Sequence, residues 1–101
     1  MAHMALSINS RVVATSDHVS CELEGEAVIL NLNDTVYYGL NEVALSIWEQ
    51  IQKPVFVWEI RDEIVRQFQV ESDRCEKDVL NLLGQLKDST LLQIVSSSDE
   101  S

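Results

Sequence analysis

Asp17, His18 and Ser20 are the side chains of this sequence that come nearest to a hydrolase constellation. Hydrolysis by a serine requires a histidine base and an orienting carboxylate, and these roles depend on spatial geometry, not on closeness in sequence. Residues 18–23 alternate between apolar and polar types, which predicts a strand whose successive side chains point to opposite faces. We therefore expect no triad at this place and interpret His18 as a surface histidine.

Other catalytic and metal-binding patterns are missing from the sequence. Its three glycines, Gly25, Gly39 and Gly84, do not form a phosphate-cradling loop. Cys21 and Cys75 are far apart and belong to no CxxC or Cys/His cluster, so we interpret them as two separate reduced thiols. The sequence predicts no enzymatic activity, no cofactor and no metal site.

The charge balance narrows the choice of partners. Seventeen acidic residues against seven basic ones give a formal net charge of −10. Because nucleic-acid binding depends on basic residues that displace counterions from phosphates, we expect no nucleic-acid partner, and an anionic membrane is disfavoured for the same reason. Neutral or basic proteins and peptides remain. No apolar run approaches the roughly 18 residues of a membrane span, and no secretory signal is present, so the sequence predicts a cytoplasmic protein.

The first half of the chain predicts strands. Residues 12–14 form a short β-branched segment, and residues 18–23, 27–32 and 35–40 are strand-like runs separated by the turn residues Glu24-Gly25 and Asn33-Asp34. Together the last three runs predict an antiparallel meander of three strands.

The second half predicts three helices, each with apolar residues at steps of three and four. Asn41 is the expected N-cap of the first helix and Ser72 that of the third. The three apolar stripes are Ala44, Ile47, Trp48 and Ile51; Val57, Ile60, Ile64 and Phe68; and Cys75, Val79, Leu82, Leu83 and Leu86. Strands followed by three helices indicate an α+β fold of winged helix-turn-helix type. We assign residues 1–10 to a tag remnant and flexible N-terminus, 11–95 to the domain and 96–101 to a flexible tail.

The third predicted strand has an unprotected edge. Residues 35–40 contain neither proline nor charge, the usual devices that prevent edge pairing. Tyr37 and Tyr38 project to opposite faces, and Gly39 lets another backbone approach closely. Either this edge receives an added peptide strand, or the C-terminal segment 91–95 pairs with it.

Four stretches of the chain closely resemble the PqqD-like family of leader-peptide recognition domains: YYGLNEVALSIWEQI, KPVFVWEI, VESDRCEKDVLNLLGQL and LLQIV. The resemblance covers residues 19–95. Its most specific parts are Leu40-Asn41 with Ile47-Trp48 seven residues on, and Cys75 with Asp78-Val79. The chain looks most like the free-standing proteins of lasso-peptide gene clusters. It looks less like the pyrroloquinoline-quinone synthesis protein, because the Pro-Glu-Gly signature before the third strand is missing.

The resemblance implies a non-catalytic domain of three strands and three helices. Such a domain holds the leader region of a precursor peptide as an extra antiparallel strand, in a groove bounded by the third helix. In the lasso group the leader offers an aromatic residue and a proline a few positions apart. The loaded domain delivers the precursor to a leader peptidase and to an ATP-dependent macrolactam synthetase.

The expected leader-binding residues combine the edge strand with the third helix. They are Thr35, Val36, Tyr37, Tyr38, Gly39, Arg74, Cys75, Asp78, Val79 and Leu82. A helical wheel leaves two flanks of the third helix as candidate groove walls. One carries Arg74, Asp78 and Gln85, which we favour because the family motif falls there, and the other carries Glu76 and Leu80. Asp78 or Glu76 is expected to steer a leader that contains lysine or arginine.

The chain departs from the family pattern just before the second helix. The family has threonine or serine there, whereas this chain has Phe56, so the helix loses a side-chain cap. Phe56 and Trp58 either form a tucked-in corner of the core or an exposed aromatic patch that binds the peptidase.

Two other functions stay open at this point. An accessory domain for a radical SAM enzyme in a quinone-cofactor or related pathway would use the same peptide-binding mode. A winged-helix DNA-binding protein would share the fold, but the acidic third helix argues against it.

Overall fold

Two three-stranded antiparallel sheets and three helices make up the described part of the chain. The computed structural model describes residues 6–16, 18–23, 26–32 and 37–97. In chain order the elements are β1 (Ser10–Ala14), β2 (His18–Leu23), β3 (Glu26–Asn31), β4 (Tyr37–Leu40), α1 (Glu42–Gln50), β5 (Val55–Phe56), α2 (Val57–Phe68), α3 (Ser72–Asp88) and β6 (Leu92–Ser97).

The predicted meander is present as the sheet β2-β3-β4. Its register pairs Ile29 with Tyr38 and Ala27 with Leu40. Residues directly opposite each other in an antiparallel pair share a face, and Ile29 is fully buried, so this face of the sheet lies on the core. Leu32, just after β3, is 54% exposed, so burial does not extend to the end of the run 27–32, although its residues are mostly apolar. Within the described residues, no strand pairs with the outer edge of β4.

The second sheet has the order β5-β1-β6 and was not expected. The C-terminal segment pairs with β1, where Val12 lies opposite Ile94 and Ala14 opposite Leu92, and does not cover β4. Val12 and Leu92 are buried in the core, so this pairing removes Leu92 from water, whereas Val95 of β6 stays 43% exposed. The two-residue strand β5 lies on the other side of β1.

The helices bury most residues of the predicted stripes, although Leu82 is only half-buried. Ile47, Ile51, Ile60, Ile64 and Leu83 are each at most 2% exposed, and full burial of such a side chain contributes about 1.5–3 kcal/mol. The α+β winged-helix class is therefore confirmed. None of the helices in the described ranges is both long enough and apolar enough to cross a membrane.

The helix starts follow the sequence-based expectation at α1 and at α2 but not at α3. The Asn41 side chain accepts a hydrogen bond from the backbone N–H of Ala44 at 2.8 Å, as expected for an N-cap. The N-cap of α3 is Glu71 and makes no side-chain cap bond, so the prediction of Ser72 was wrong by one residue. At α2, Phe56 has no acceptor to offer, but the Glu59 carboxylate accepts from the Phe56 N–H at 3.0 Å and replaces part of the missing cap.

The N-terminal segment lies against the domain. Ser10 begins β1, its hydroxyl accepts a hydrogen bond from the Ser7 N–H at 3.0 Å, and Leu6 packs against the core. The Trp58 N–H donates to the Ile8 carbonyl at 3.1 Å. Residues 6–10 are thus held by the second sheet and the start of α2. Residues 1–5 of the predicted N-terminal segment and residues 98–101 of the predicted tail lie outside the described residues, whereas Ser96 and Ser97 of that tail pair with β1.

Candidate functional site

Among the residues that the structure describes, no strand pairs with the outer edge of β4, and β4 leads directly into α1. Of the five predicted edge residues, Thr35 and Val36 lie outside the described residues, while Tyr37, Tyr38 and Gly39 belong to β4. Gly39 is exposed, and a Cβ added to it would meet nothing within 4 Å. The folded chain alone therefore gives no steric reason for a glycine at this position.

A groove lies between the start of α1 and the middle of α3. It has a volume of about 380 Å³, and we call it the α1–α3 groove. Its lining residues are Asn41, Val43, Ala44, Ile47, Asp78, Asn81, Leu82 and Gln85. Asn41 follows β4 without a gap, so the groove begins where the open strand edge ends. An apolar floor with amide and carboxylate groups at the rim suits a side chain that has an apolar body and a polar head.

A second depression continues from the groove toward the start of α3. This depression, the Val70 socket, has a volume of about 550 Å³ and shares Val43 and Asp78 with the groove. Its other lining residues are Ile64, Val70, Glu71, Arg74, Cys75 and Val79. Cys75 and Val79 are almost fully buried, whereas Val70 is 40% exposed. The structure thus brings together all five α3 residues predicted from the sequence: Asp78 and Leu82 line the groove, and Arg74, Cys75, Asp78 and Val79 line the socket.

The two acidic candidates of α3 have different surroundings. The Glu76 carboxylate faces α2 and forms an ion pair with Arg61 at 2.9 Å. Asp78 is exposed, lines both depressions and forms no ion pair with any residue that the structure describes. A free carboxylate at a groove rim is available to a cationic ligand group, whereas a paired one is not.

Burial holds the thiol of Cys75 in its neutral form. Burial is the main cause that raises the pKa of Cys75, and the carboxylate of Asp78 raises it further. The sulfur contacts the Arg61 carbonyl at 3.7 Å. Because the thiolate is the reactive species, the raised pKa disfavours Cys75 as a nucleophile, and its burial accords with packing at the socket floor.

Polar contacts join the edge strand to the end of α3. The Tyr38 hydroxyl contacts the hydroxyl of Ser89, which is the C-cap residue of α3. From β3, the Asn31 side-chain amide donates to the Ser89 carbonyl, and Asn31 is only 1% exposed. These contacts set the position of β4 relative to α3, the helix that carries one wall of the groove. No sequence signal marked Asn31 or Ser89, since their contact joins residues 58 positions apart.

A stacked aromatic pair lies at the start of α2. The rings of Phe56 and Trp58 are 6.0 Å apart between centroids with an interplanar angle of 14°. The guanidinium of Arg11 lies 5.8 Å from the Phe56 ring centroid. Trp58 is 38% exposed and Phe56 is half-buried, so this place is not a tucked-in corner of the core. We call Arg11, Phe56 and Trp58 the aromatic surface.

The interpretation of His18 as a surface residue was wrong. Its ring meets that of Trp48 edge to face at 4.7 Å, it is half-buried, and its Nδ1 is buried without a hydrogen-bond partner. The strand alternation could not reveal this, because the contact depends on where α1 crosses the sheet. Across the described ranges, no three His, Cys, Asp or Glu side chains come together to hold a metal.

Known proteins were compared with this chain. The family model described as Coenzyme PQQ synthesis protein D (PqqD) matches residues 26–92. No curated protein matches. A solved structure of TbiB1 in complex with the TbiA(beta) leader peptide is 28% identical, with a TM-score of 0.71, and the match covers 80% of this chain and 94% of that one. A structure of lasso peptide synthetase B1 complexed with the leader peptide also has a TM-score of 0.71; it is 17% identical, with 81% and 96% covered, and shows likeness of fold alone.

Proposed function

This chain belongs to the PqqD family, as the resemblance implied, and we propose that it is a non-catalytic protein that recognises the leader region of a ribosomally made precursor peptide. The observation that carries this proposal is the open edge of β4, which runs directly into a groove walled by α1 and α3. The likeness to TbiB1, whose structure holds a leader peptide, supports it and supports a role in lasso-peptide biosynthesis.

The leader binds as an additional antiparallel strand. Thr35, Val36, Tyr37, Tyr38 and Gly39 supply the backbone donors and acceptors, which give affinity with little demand on sequence. Strand addition also satisfies the unpaired N–H and C=O groups that an open edge exposes.

The α1–α3 groove and the Val70 socket select among leader sequences by binding leader side chains. Asp78 and Leu82 face leader side chains in the α1–α3 groove, while Arg74, Cys75 and Val79 contribute to the Val70 socket. Between the two flanks of α3, the Asp78 flank serves as the groove wall because the Glu76 carboxylate is already paired with Arg61. Asp78 attracts a lysine or arginine of the leader.

The loaded protein then presents the precursor to separate enzymes. These are the leader peptidase and the ATP-dependent macrolactam synthetase, and Phe56 and Trp58 form the contact with the peptidase. A non-catalytic role is consistent with two observations. The pKa of the Cys75 thiol is raised, and the His18 ring packs against Trp48.

Fluorescence anisotropy tests leader binding. The probe is the labelled leader of the precursor peptide encoded beside the gene for this chain, and a scrambled leader of the same composition is the control. We expect saturable binding of the native leader and none of the scrambled one. The dissociation constant should lie below tens of micromolar, which corresponds to a binding free energy on the order of 7 kcal/mol in favour of the complex. An anisotropy that stays flat up to that concentration would sink the proposal.

Leader analogues that carry a single backbone N-methyl group test the strand geometry. Each methyl removes one N–H donor, and only alternate residues of an antiparallel strand donate to a given neighbour. We expect affinity losses at every second leader position. Losses without this period of two would contradict strand addition even if the leader binds.

A second candidate follows from the description of the family as a quinone-cofactor synthesis protein. In this second candidate function, the chain binds its peptide in the same way but presents it to a radical SAM enzyme. Pull-down from the native host with the leader-loaded chain separates the two: recovery of a radical SAM enzyme in place of a peptidase and a synthetase favours the second candidate.

A further inference from the structure

The structure assigns a positioning role to Thr90, the residue that follows the C-cap of α3. Its hydroxyl holds Ser89 toward Tyr38 and thereby fixes the strand edge that receives the leader. Thr90 lines neither the α1–α3 groove nor the Val70 socket, so it acts on the leader through other residues. This inference rests on the proposed function and adds to it a residue that orders the binding edge in advance.

The end of α3 has a backbone shape that favours glycine. The Leu91 N–H donates to the Leu86 carbonyl at 2.8 Å, and the Thr90 N–H donates to the Lys87 carbonyl at 3.0 Å. These two bonds form a Schellman motif, in which the residue after the C-cap adopts the left-handed conformation and is usually glycine. Thr90 occupies this position with a φ of 61°. Because a β-branched residue rarely adopts such a φ, the backbone of Thr90 is strained.

Packing of the core does not explain a threonine at this position. Thr90 is exposed, and the last buried residue of α3 is Leu86. Glycine would adopt the same φ without steric cost. Strained residues persist where the surrounding structure imposes their conformation, and they cluster at functional sites. The side chain of Thr90 therefore needs a role other than packing.

The hydroxyl of Thr90 supplies a hydrogen bond that glycine lacks. It donates to the Ser89 carbonyl at 2.6 Å. The same carbonyl accepts from the Asn31 side-chain amide, and the Ser89 hydroxyl contacts the Tyr38 hydroxyl. Asn31 ends β3 and Tyr38 belongs to β4, so both lie in the sheet that carries the open edge. Thr90 thus fixes the residue that joins the end of α3 to two neighbouring strands.

The other sheet holds the strained residue in place. Thr15 follows β1 directly, and its hydroxyl donates to the Thr90 carbonyl at 2.7 Å. The Thr15 N–H donates to the Leu91 carbonyl at 3.0 Å. Relaxation of the Thr90 backbone would therefore disturb bonds to both sheets. Since an edge that is ordered beforehand loses less conformational entropy when a peptide strand is added, this arrangement favours leader binding.

Three substitutions of Thr90 separate the hydroxyl from the strain. Thr90→Gly removes both, Thr90→Val removes the hydroxyl and keeps the branched shape, and Thr90→Ser keeps the hydroxyl. We expect Thr90→Gly to raise the melting temperature by about 4 °C, because it relieves the strain. The same variant should weaken binding of the labelled native leader about fivefold in fluorescence anisotropy.

The other two variants should differ in leader affinity. We expect Thr90→Val to weaken leader binding as much as Thr90→Gly but without a rise in melting temperature, since the strain remains. Thr90→Ser should keep the leader affinity of the wild type. A residue with a structural role alone would change stability and leader affinity in the same direction.

Gln69→Gly is the matched control for relief of strain. Among the residues that the structure describes, Gln69 is the other non-glycine residue with a positive φ, at 53°, and it is exposed at the C-cap of α2. It is expected to raise the melting temperature in the same way and to leave leader affinity unchanged. A loss of leader affinity in Gln69→Gly would show that relief of strain anywhere weakens binding, which would overturn the role of Thr90.

The outcomes distinguish this inference from the proposed function. A wild-type chain that binds no leader would refute the proposed function. Leader binding with equal affinity in the wild type, Thr90→Gly and Thr90→Val would refute only the positioning role. A joint loss of stability and affinity in Thr90→Gly would reduce Thr90 to a structural residue. A loss in Thr90→Ser as large as in Thr90→Val would show that the hydroxyl is not the group responsible.

Discussion

The α1–α3 groove and the aromatic surface differ in how the chain builds them. The groove joins the start of α1 to the middle of α3, and its position depends on contacts between residues far apart in sequence. The aromatic surface consists of two residues at the start of α2 and one from the neighbouring strand β1. The groove has a polar rim and begins where the backbone edge of β4 ends, whereas the aromatic surface offers side chains alone.

This difference indicates two kinds of recognition. Backbone pairing accepts many peptide sequences and leaves selection to a few side-chain contacts, which suits a variable leader. Stacked rings with one cation demand a matching partner surface, which suits a single enzyme. If the two surfaces are independent, a change in one will leave the other at full affinity.

A side chain that fills the α1–α3 groove tests whether leader binding and peptidase binding are independent. Asn81 is exposed on α3 and lines the α1–α3 groove, so Asn81→Trp places an indole in the space without disturbing the core. We expect leader affinity to fall at least about tenfold, or about 1.4 kcal/mol, and peptidase affinity to stay constant. Anisotropy and interferometry measure the two, with Asn81→Ala as the control. A joint loss of both affinities would show that the surfaces are coupled.

The contact between Tyr38 of β4 and Ser89 at the end of α3 is expected to affect how long the leader stays bound. Tyr38→Phe removes the hydroxyl that meets Ser89, and a net hydrogen bond contributes about 0.5–1.5 kcal/mol. We expect leader dissociation to accelerate up to about tenfold in stopped-flow measurements. The double variant Tyr38→Phe/Ser89→Ala should lose no more than the single one, because both remove the same contact. Additive losses would mean that the two residues act separately.

The rigidity of the aromatic surface depends on Glu59. Glu59→Ala leaves the Phe56 N–H without its side-chain acceptor and should lower the free energy of unfolding by about 1 kcal/mol. Urea denaturation measures this loss. Glu63→Ala is the control, since its partner Arg66 is exposed and exposed ion pairs contribute little to stability. Equal losses in the two variants would remove the special role of Glu59.

Asp78 is expected to have the smallest effect, on the rate of leader association. With a leader that contains lysine or arginine, Asp78→Asn should slow association about two- to threefold at low salt. The effect should vanish near 1 M salt, where screening acts over about 3 Å. Glu76→Gln is the control, because the Glu76 carboxylate faces Arg61 and not the groove. A rate that does not respond to ionic strength would exclude steering.

Much of the fold could be predicted because its signals are local. The stripes of α1, α2 and α3 and the alternation of β2 depend on spacings of two to four residues, and the Asn41 cap spans three. The sheet β5-β1-β6 escaped prediction because β5 has only two residues and because β1 and β6 lie at opposite ends of the chain. Periodicity carries no information on which distant strands pair.

The same distinction between local signals and long-range contacts holds for the candidate site. The uncharged strand edge and the α3 residues Arg74, Cys75, Asp78 and Val79 could be named in advance. The opposite wall from α1, the exposed Val70 and the position of Arg11 beside the Phe56 ring could not, because each depends on residues that are close only in the folded chain.

By itself, the sequence determined the class of this protein: a small acidic α+β domain with an unprotected strand edge, no catalytic pattern and the motifs of one family. These properties follow from composition and short-range periodicity, which do not depend on how the elements assemble. Only the tertiary structure decided that β6 pairs with β1 and not with β4, that Glu76 is the ion-paired acid of α3, and that the exposed Trp58 stacks on Phe56. Each of these depends on which distant residues meet when the core closes, because burial and ion pairing are properties of neighbours in space.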